Sequence, residues 1–178
     1  MIGAHVLERE QMSVREKIVG AFESKNLAWE QDFERAIDRL TAVGMSDSLG
    51  SALFRAKYCN DRESAKRALH LLTHKAAQRL KVEISYARNL SSAAFREWMV
   101  DTCDKCQGTG HAMESGHLVQ CSKCSGTGAK RYTDAERAIA ANLPIESWKK
   151  HESRFNGVVI CLMGAVAETT GRVRELLS

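Results

Sequence analysis

The sequence contains one proline, Pro144, in 178 residues, and aromatic residues make up only 6% of it. Proline interrupts helices, and alternating β-branched and aromatic residues mark strands. A chain with little proline and no such alternation is therefore expected to be mainly helical. The longest strongly apolar run, residues 158–167, is too short to cross a bilayer, and the first residues lack the basic start and apolar stretch of a secretion signal. We therefore expect a mainly α protein of a reducing cytosol that does not contact a membrane.

Patterns typical of catalysis are also missing. No nucleophile lies beside a base in the sequence, and no Lys-Ser or Lys-Thr pair follows its Gly-Thr-Gly turns as a phosphate-binding loop requires. We expect that the protein is not an enzyme and has no small-molecule substrate.

The chain does contain two copies of one phrase, C-x-K-C-x-G-T-G, at residues 103–110 and 121–128. Zinc prefers four tetrahedral ligands, and two-residue gaps let neighbouring thiolates converge on one ion. The glycines of the phrase permit sharp turns that direct backbone N–H groups at the sulfurs. The spacing predicts one structural zinc, since four cysteines leave no open position on the metal. Its ligands are Cys103, Cys106, Cys121 and Cys124.

The cysteines and nearby histidines also allow arrangements other than a four-cysteine zinc site. Two disulfides, or four thiols with no partner, are the alternatives, and the repeated glycines and the ligand-like spacing disfavour both. His111 and His117 lie between the pairs and compete as ligands, but we expect them to face solvent or nucleic acid. Cys59 and Cys161 lie in apolar helical stretches and are interpreted as inert buried thiols.

Helical periodicity covers most of the remaining chain. It predicts a helix over 27–42 that ends before Gly44, and a second helix over 47–58. A third helix is expected to begin at a capping pair, Asn60 and Glu63, and a fourth to run from Ser91 or Ser92 to Val100. A last helix over 157–177 is expected to close the core with five apolar residues, which are Val158, Ile160, Cys161, Ala165 and Val166. His70 and His74 are expected as an exposed pair.

Positive charge is concentrated between residues 66 and 96, whereas residues 1–40 carry more acids than bases. Such a segment indicates either a solvated helix face or a patch for a polyanion, and solvation alone is the commoner case. The possible patch consists of Lys66, Arg67, Lys75, Arg79 and Lys81.

A second basic segment follows the cysteines. Thr133 and Glu136 form a capping box before a short helix, Pro144 marks a turn, and the next helix has Ile145, Trp148 and Phe155 on one face. The opposite face is polar and basic. This order predicts either a DNA-binding helix-turn-helix or an ordinary helical hairpin. The candidate DNA contacts are Lys149, Lys150, Ser153 and Arg154, with Lys130 and Arg131 just before the capping box.

These residues give four expected regions. They are an acidic helical segment at 1–43, a helical core at 44–101, a zinc-binding module at 102–131, and a helix-turn-helix with a C-terminal helix at 132–178.

Three stretches together resemble the late-gene antitermination proteins of lambdoid phages, the Q type. They are Val-Gly-Met-Ser-Asp-Ser at 43–48, the paired cysteine phrases, and Asn-Leu-Pro at 142–144 with Trp148 after it. The similarity runs from about residue 40 to the C-terminus.

The resemblance implies a factor that binds double-stranded DNA at a phage late promoter in the host bacterial cytoplasm, at the nucleoid. Such proteins load onto promoter-proximally paused RNA polymerase that still carries its sigma factor, and make the polymerase read through terminators. Two alternatives from other classes remain: a DnaJ-like zinc module that binds unfolded protein, and a zinc-containing RNA-binding protein. The chain lacks the four repeats of a DnaJ-type domain, which disfavours the first alternative. It also lacks the aromatic stacking platforms of RNA-binding modules, which disfavours the second.

Overall fold

A computed structural model describes residues 48–176, which are mainly helical. They form five α-helices: α1 (Ser48–Tyr58), α2 (Arg62–Leu80), α3 (Ile84–Met99), α4 (Asp134–Ala140) and α5 (Trp148–Leu176). Strands β1 (His111–Glu114) and β2 (His117–Gln120) lie between α3 and α4, and a short 3-10 helix, Ile145–Ser147, precedes α5. The segment predicted at 1–43, the helix expected over 27–42 and its stop at Gly44 lie outside the described residues.

The chain divides into two compact units whose boundaries fall within α2 and α5. The described part of the first unit comprises residues 48–75 and 160–176, and the second unit comprises residues 76–159. No helix among residues 48–176 is both long and apolar enough to span a membrane.

In the first unit, α1 packs closely on the C-terminal half of α5. The helix predicted over 47–58 is confirmed as α1, and its apolar residues Leu49, Ala52, Leu53 and Ala56 are all buried. A Cβ atom built at Gly50 would lie 2.6 Å from the Ala165 carbonyl oxygen and closer still to Thr169. Glycine at position 50 therefore permits this close approach of the two helices.

The start of α2 differs from its prediction by one residue. The Asp61 carboxylate accepts hydrogen bonds from the backbone N–H groups of Glu63 (3.0 Å) and Ser64 (3.3 Å), so Asp61 caps the helix. The predicted Asn60–Glu63 pair is wrong. Asn60 adopts a left-handed conformation with φ of 52°, which places it outside the first turn.

In the second unit, α3 begins earlier than Ser91 or Ser92, the predicted caps. Lys81 has a φ of 51° and ends α2, after which the Glu83 carboxylate accepts from the N–H groups of Ser85 and Tyr86. Ser91 is buried within α3. The capping prediction is wrong here because glutamate rarely occupies a cap position, so Glu83 gave no recognisable signal.

Helix α4 begins at the predicted capping box. The Thr133 N–H donates to the Glu136 carboxylate at 2.8 Å, and the Glu136 N–H donates to the Thr133 hydroxyl at 3.2 Å. Arg137 then joins α4 to α3 by a two-pronged ion pair, since its Nε and Nη2 atoms donate to the Glu97 carboxylate at 2.9 and 2.7 Å.

Helix α5 is one continuous helix of 29 residues and does not restart at Gly157. A Cβ atom at Gly157 would lie 2.7 Å from a methyl group of Leu80, so this glycine makes room for α2. Trp148 and Phe155 are buried as predicted, whereas Ile145, expected on the same apolar face, lies in the 3-10 helix and is 48% exposed. Ile160, expected in the core, is 56% exposed because the buried positions nearby are Val158, Cys161 and Leu162, on another side of the helix.

Candidate metal centre and basic helix face

The four predicted cysteine ligands converge on one point. Their sulfur atoms all lie within 4.8 Å of one another, and all four residues are buried. The Sγ atoms of Cys103 and Cys121 are 4.0 Å apart, and those of Cys106 and Cys124 are 3.7 Å apart. The site can therefore hold a metal ion.

These distances fit metal coordination and exclude disulfides. A disulfide needs sulfur atoms about 2.05 Å apart. Ligands about 2.3 Å from a tetrahedral zinc ion would instead be about 3.8 Å from one another. The cluster matches the second arrangement, which is compatible with one structural zinc.

The two phrases fold into turns related by an approximate local two-fold symmetry. In each, the threonine hydroxyl donates to the carbonyl of the second cysteine: Thr109 to Cys106 at 2.7 Å and Thr127 to Cys124 at 2.8 Å. Reciprocal backbone bonds of 2.8 Å then join the turns, because Cys103 N donates to Gly128 O and Cys121 N donates to Gly110 O. The repetition in sequence thus reflects a repeated ligand-bearing turn.

The last glycine of each phrase lies against the other turn. Gly110 and Gly128 have φ values of 76° and 71°, and a Cβ on either would lie 2.4 or 2.3 Å from a carbonyl oxygen of the opposite phrase. Only glycine combines this left-handed backbone with such a close approach. The glycines therefore allow the two turns to pack closely around the cysteines.

Backbone N–H groups favour the thiolate form within the cluster. Burial opposes ionisation of Cys124, but the Gly128 N–H, 3.3 Å from its sulfur, and the neighbouring thiols of Cys106 and Cys121 lower the pKa of Cys124 to about 6. Burial raises the pKa of Cys106, whose sulfur lies 3.7 Å from that of Cys124. Thiolate is the form that binds metal.

The lysine of each phrase crosses to the opposite phrase. Lys123 donates to the Asp104 carboxylate at 2.7 Å, and Lys105 donates to the Ser122 hydroxyl at 2.8 Å and to Glu114 at 2.7 Å. Both ammonium groups therefore lie beside the cluster. A metal bound by four thiolates carries excess negative charge, which nearby cations reduce.

The hairpin that joins the two turns was not predicted. Strands β1 and β2 pair antiparallel, and Ser115 and Gly116 between them have φ values of 52° and 82°. Two residues with positive φ form the preferred tight hairpin turn, so Ser-Gly was the usable signal. Met113 and Leu118 face each other across the strands and are 67% and 69% exposed.

Neither histidine of the hairpin joins the cysteine cluster. His111 and His117 are exposed, as predicted, and the metal-binding group found among the described residues consists of the four cysteines. Of the other two cysteines, Cys161 is buried as expected, whereas Cys59 is exposed at the end of α1.

The candidate DNA-contacting residues of α5 lie at its N-terminal end. Lys149, Lys150, Ser153 and Arg154 are all exposed. Lys149 is nevertheless engaged, because its ammonium group lies 2.9 Å from Asp134 of α4 and 3.4 Å from Glu152. The hydrogen bond to Asp134 raises the pKa of Lys149 above its ordinary value. Among the described residues, no ion pair involves Lys150 or Arg154.

Two basic residues before α4 also lie at the surface of the second unit. Arg131 is exposed, and Lys130 is half-buried with its ammonium group 4.5 Å from the centre of the Tyr132 ring. These positions leave both side chains accessible to a ligand.

The residues of the possible second patch are all exposed, and they belong to two different units. Lys66, Arg67 and Lys75 are exposed on α2 in the first unit, and Arg79 and Lys81 are exposed in the second. Lys66 forms an ion pair with Glu63 at 2.8 Å. His70 and His74 are exposed, as predicted, with ring centroids 4.4 Å apart.

One feature near α5 was not anticipated from the sequence. The Tyr86 hydroxyl of α3 lies 2.6 Å from Nδ1 of His151, and the Arg154 guanidinium lies 5.9 Å from the centre of the Tyr86 ring. Tyr86 and His151 are 65 positions apart, so no local pattern pointed to this contact.

The sequence matches no protein-family model and no curated protein.

Proposed function

We propose that the protein is a phage late-gene antitermination factor of the Q type, a zinc-braced reader of duplex DNA that acts on RNA polymerase. The observation that carries the proposal is a four-cysteine cluster in the same compact unit as a helix end with exposed basic residues. The sequence resemblance supplies the link to polymerase.

Zinc is the metal that best suits the cluster. Four thiolates at near-tetrahedral separations favour zinc over magnesium, calcium or manganese, which prefer oxygen ligands. With all four ligands supplied by protein, the ion would act structurally. It would hold the two ligand-bearing turns and the hairpin between them in one conformation.

Helix α4, the turn after it and the start of α5 would serve as the DNA-reading helix-turn-helix. Asn142, with φ of 51°, lies between the helices and interrupts the helical backbone. The Lys149–Asp134 ion pair links α5 to α4. In this arrangement the second helix enters the major groove. Lys150, Ser153 and Arg154 would contact phosphates or base edges.

Lys149 has a different role in this proposal from the one expected from sequence. Because its ammonium group already binds two carboxylates, releasing it to a phosphate would cost those contacts. Its charge reversal would disturb the junction of α4 and α5 as well as any DNA contact. Lys150 and Arg154 are therefore the cleaner probes of DNA binding.

DNA recognition is tested first by selection from a pool of random duplex DNA. We expect the wild-type protein to enrich one sequence and to bind it with an affinity that falls as salt rises. The double variant Lys150→Glu/Arg154→Glu should lose this binding while keeping its helix content and metal. Arg172→Glu, an exposed charge reversal on the same helix but in the first unit, is the matched control.

Antitermination is tested by transcription with purified bacterial polymerase holoenzyme. The template carries the selected sequence over a promoter, followed by a promoter-proximal pause and a terminator. Read-through that requires the selected sequence supports the proposal. Sequence-specific DNA binding without read-through would leave a DNA-binding regulator and contradict the antitermination step.

A second candidate is a zinc module that binds apolar segments of other proteins. The exposed Met113–Leu118 pair on the hairpin favours it, since such side chains at a rigid tip suit an apolar ligand. Binding of an unfolded polypeptide that Met113→Ser/Leu118→Ser abolishes, with no preference for any duplex, would select this candidate. Preference for single-stranded RNA would select the RNA-binding alternative.

A further inference from the structure

Tyr86 contacts two residues on the N-terminal end of α5. Its hydroxyl lies 2.6 Å from Nδ1 of His151, and the ring centroids of the two residues are 5.5 Å apart. The face of the Tyr86 ring meets the Arg154 guanidinium at 5.9 Å. His151 and Arg154 are three residues apart on a helix and so lie side by side, which lets one tyrosine reach both.

The Tyr86 contact leaves the donors of Arg154 available. At 5.9 Å from the ring centre the guanidinium makes a cation–π contact, which occupies none of its N–H groups. Arg154 is exposed and has no ion pair within residues 48–176, in contrast to Lys149 one turn earlier. Arg154 is thus oriented without being neutralised.

We propose that Tyr86 is a positioning residue for base recognition: it holds Arg154 so that the guanidinium donates to the O6 and N7 edge of a guanine in the major groove. This inference rests on the proposed DNA-binding function. Paired donation to guanine is the commonest specific contact of arginine, and it depends on the orientation of the guanidinium plane.

The physical gain is preorganisation. A free arginine side chain loses rotamer freedom when it binds a base, and a side chain already restrained by a ring loses less. His151 contributes indirectly, because its hydrogen bond to the hydroxyl restrains the Tyr86 ring. Removing the ring should therefore weaken base discrimination more than removing the hydroxyl.

The test compares binding of the zinc-loaded full chain to the duplex selected by wild type and to duplexes with one guanine replaced. We expect Arg154→Gln to lose about 5- to 150-fold in preference at one base pair. Tyr86→Leu should lose about two- to fivefold at that same base pair and little elsewhere. Tyr86→Phe keeps the ring and should recover most of the preference.

A double-mutant cycle separates positioning from a general structural role. If Tyr86 acts through Arg154, Tyr86→Leu should have no further effect on preference in the Arg154→Gln background. Equal loss in both backgrounds, or uniform loss across all sequences, would overturn the inference. Should Tyr86→Leu fail to fold, Tyr86→Gln replaces it at this half-buried position.

The outcomes distinguish this inference from the function on which it rests. Wild-type protein without preference for any duplex defeats both. Wild-type preference that Lys150→Glu/Arg154→Glu abolishes, but that Tyr86→Leu leaves intact, retains the proposed function and removes the role of Tyr86 alone.

Discussion

The four-cysteine module, residues 102–131, and the helices of this protein are stabilised by different kinds of contact. In the module, the buried hydrophobic cluster consists of the four cysteines, with Ala112 partly buried against them. In the helices, large apolar side chains are buried within each unit, Leu53 and Leu162 in the first and Phe155 in the second. Apolar burial scales with buried area, and four thiols with one alanine supply little of it.

The folding free energy of the two regions therefore has different sources. The module satisfies its backbone by hydrogen bonds between the two turns, but four thiolates this close together would repel one another unless a metal binds them. We therefore expect the module to fold with its metal, whereas the helices fold by burying apolar surface. Four changes test this contrast, from the largest expected effect to the smallest.

Removing the metal should unfold the module and leave the helices folded. Structural zinc in small modules contributes about 10–16 kcal/mol of apparent binding free energy, most of which is folding free energy. After chelation, we expect amide exchange to become fast at residues 103–128 and to stay slow in the buried parts of α1, α3 and α5. Equal loss of protection in the helices would show that the two regions are not stabilised separately.

Gly110→Ala should impair the module through its backbone. Alanine at φ of 76° costs about 1–2 kcal/mol. Its Cβ would also lie 2.4 Å from the Gly126 oxygen, and forced overpacking adds about 1–3 kcal/mol. Competition with a zinc-binding dye would report the weakened affinity.

Gly116→Ala is the matched control for this change. Gly116 has a similar φ of 82°, but no atom lies within 4 Å of a Cβ at that position. We expect only the strain cost of about 1–2 kcal/mol. Equal zinc affinity of the two variants would contradict the proposed close packing of the two turns.

Leu162→Ala should destabilise the helices and spare the module. Leu162 is 1% exposed on α5, so its truncation leaves a cavity that costs about 2–5 kcal/mol of unfolding free energy. Zinc stoichiometry should not change. The neighbouring Met163, 50% exposed, gives the control, since Met163→Ala should change stability by less than about 0.5 kcal/mol.

Thr133→Ala should have the smallest effect, because it removes a helix cap and no core contact. Loss of a threonine cap costs about 1 kcal/mol, measured by urea unfolding. The cap also predicts a pH dependence. Hydrogen bonds from the Thr133 backbone and hydroxyl lower the pKa of Glu136 below its ordinary value of 4.5.

The sign of that dependence follows from the lowered pKa. Stability from the Glu136 carboxylate is fully present above its unfolded pKa and is lost as pH falls through the folded pKa. Wild-type protein should therefore lose stability more steeply than Thr133→Ala as the pH drops below about 4.5. Because alanine keeps the backbone N–H that donates to Glu136, parallel curves would contradict only the contribution of the Thr133 hydroxyl.

Local patterns predicted the features that depend on neighbouring residues. The cysteine cluster, the Thr133–Glu136 box and the buried face of α1 all follow from spacings of a few positions. The Ser-Gly turn between β1 and β2 was also a local signal, but it lies between ligand pairs where no strand was expected.

Contacts between residues far apart in the sequence could not be predicted from such patterns. The Lys149–Asp134 ion pair changes the interpretation of a predicted DNA contact, and the contact of Tyr86 with His151 spans 65 positions. Ile160 shows a related limit, because an apolar residue in an apolar run does not reveal which side of a buried helix it occupies. The face of α5 is set by the elements that pack on it.

The most direct test of a zinc-braced DNA reader measures metal content and DNA binding on one purified sample. We expect one zinc per chain and salt-sensitive binding of a selected duplex, with both lost after chelation and regained when zinc is restored. Stoichiometric zinc without preference for any duplex, or DNA binding unchanged by chelation, would contradict the account.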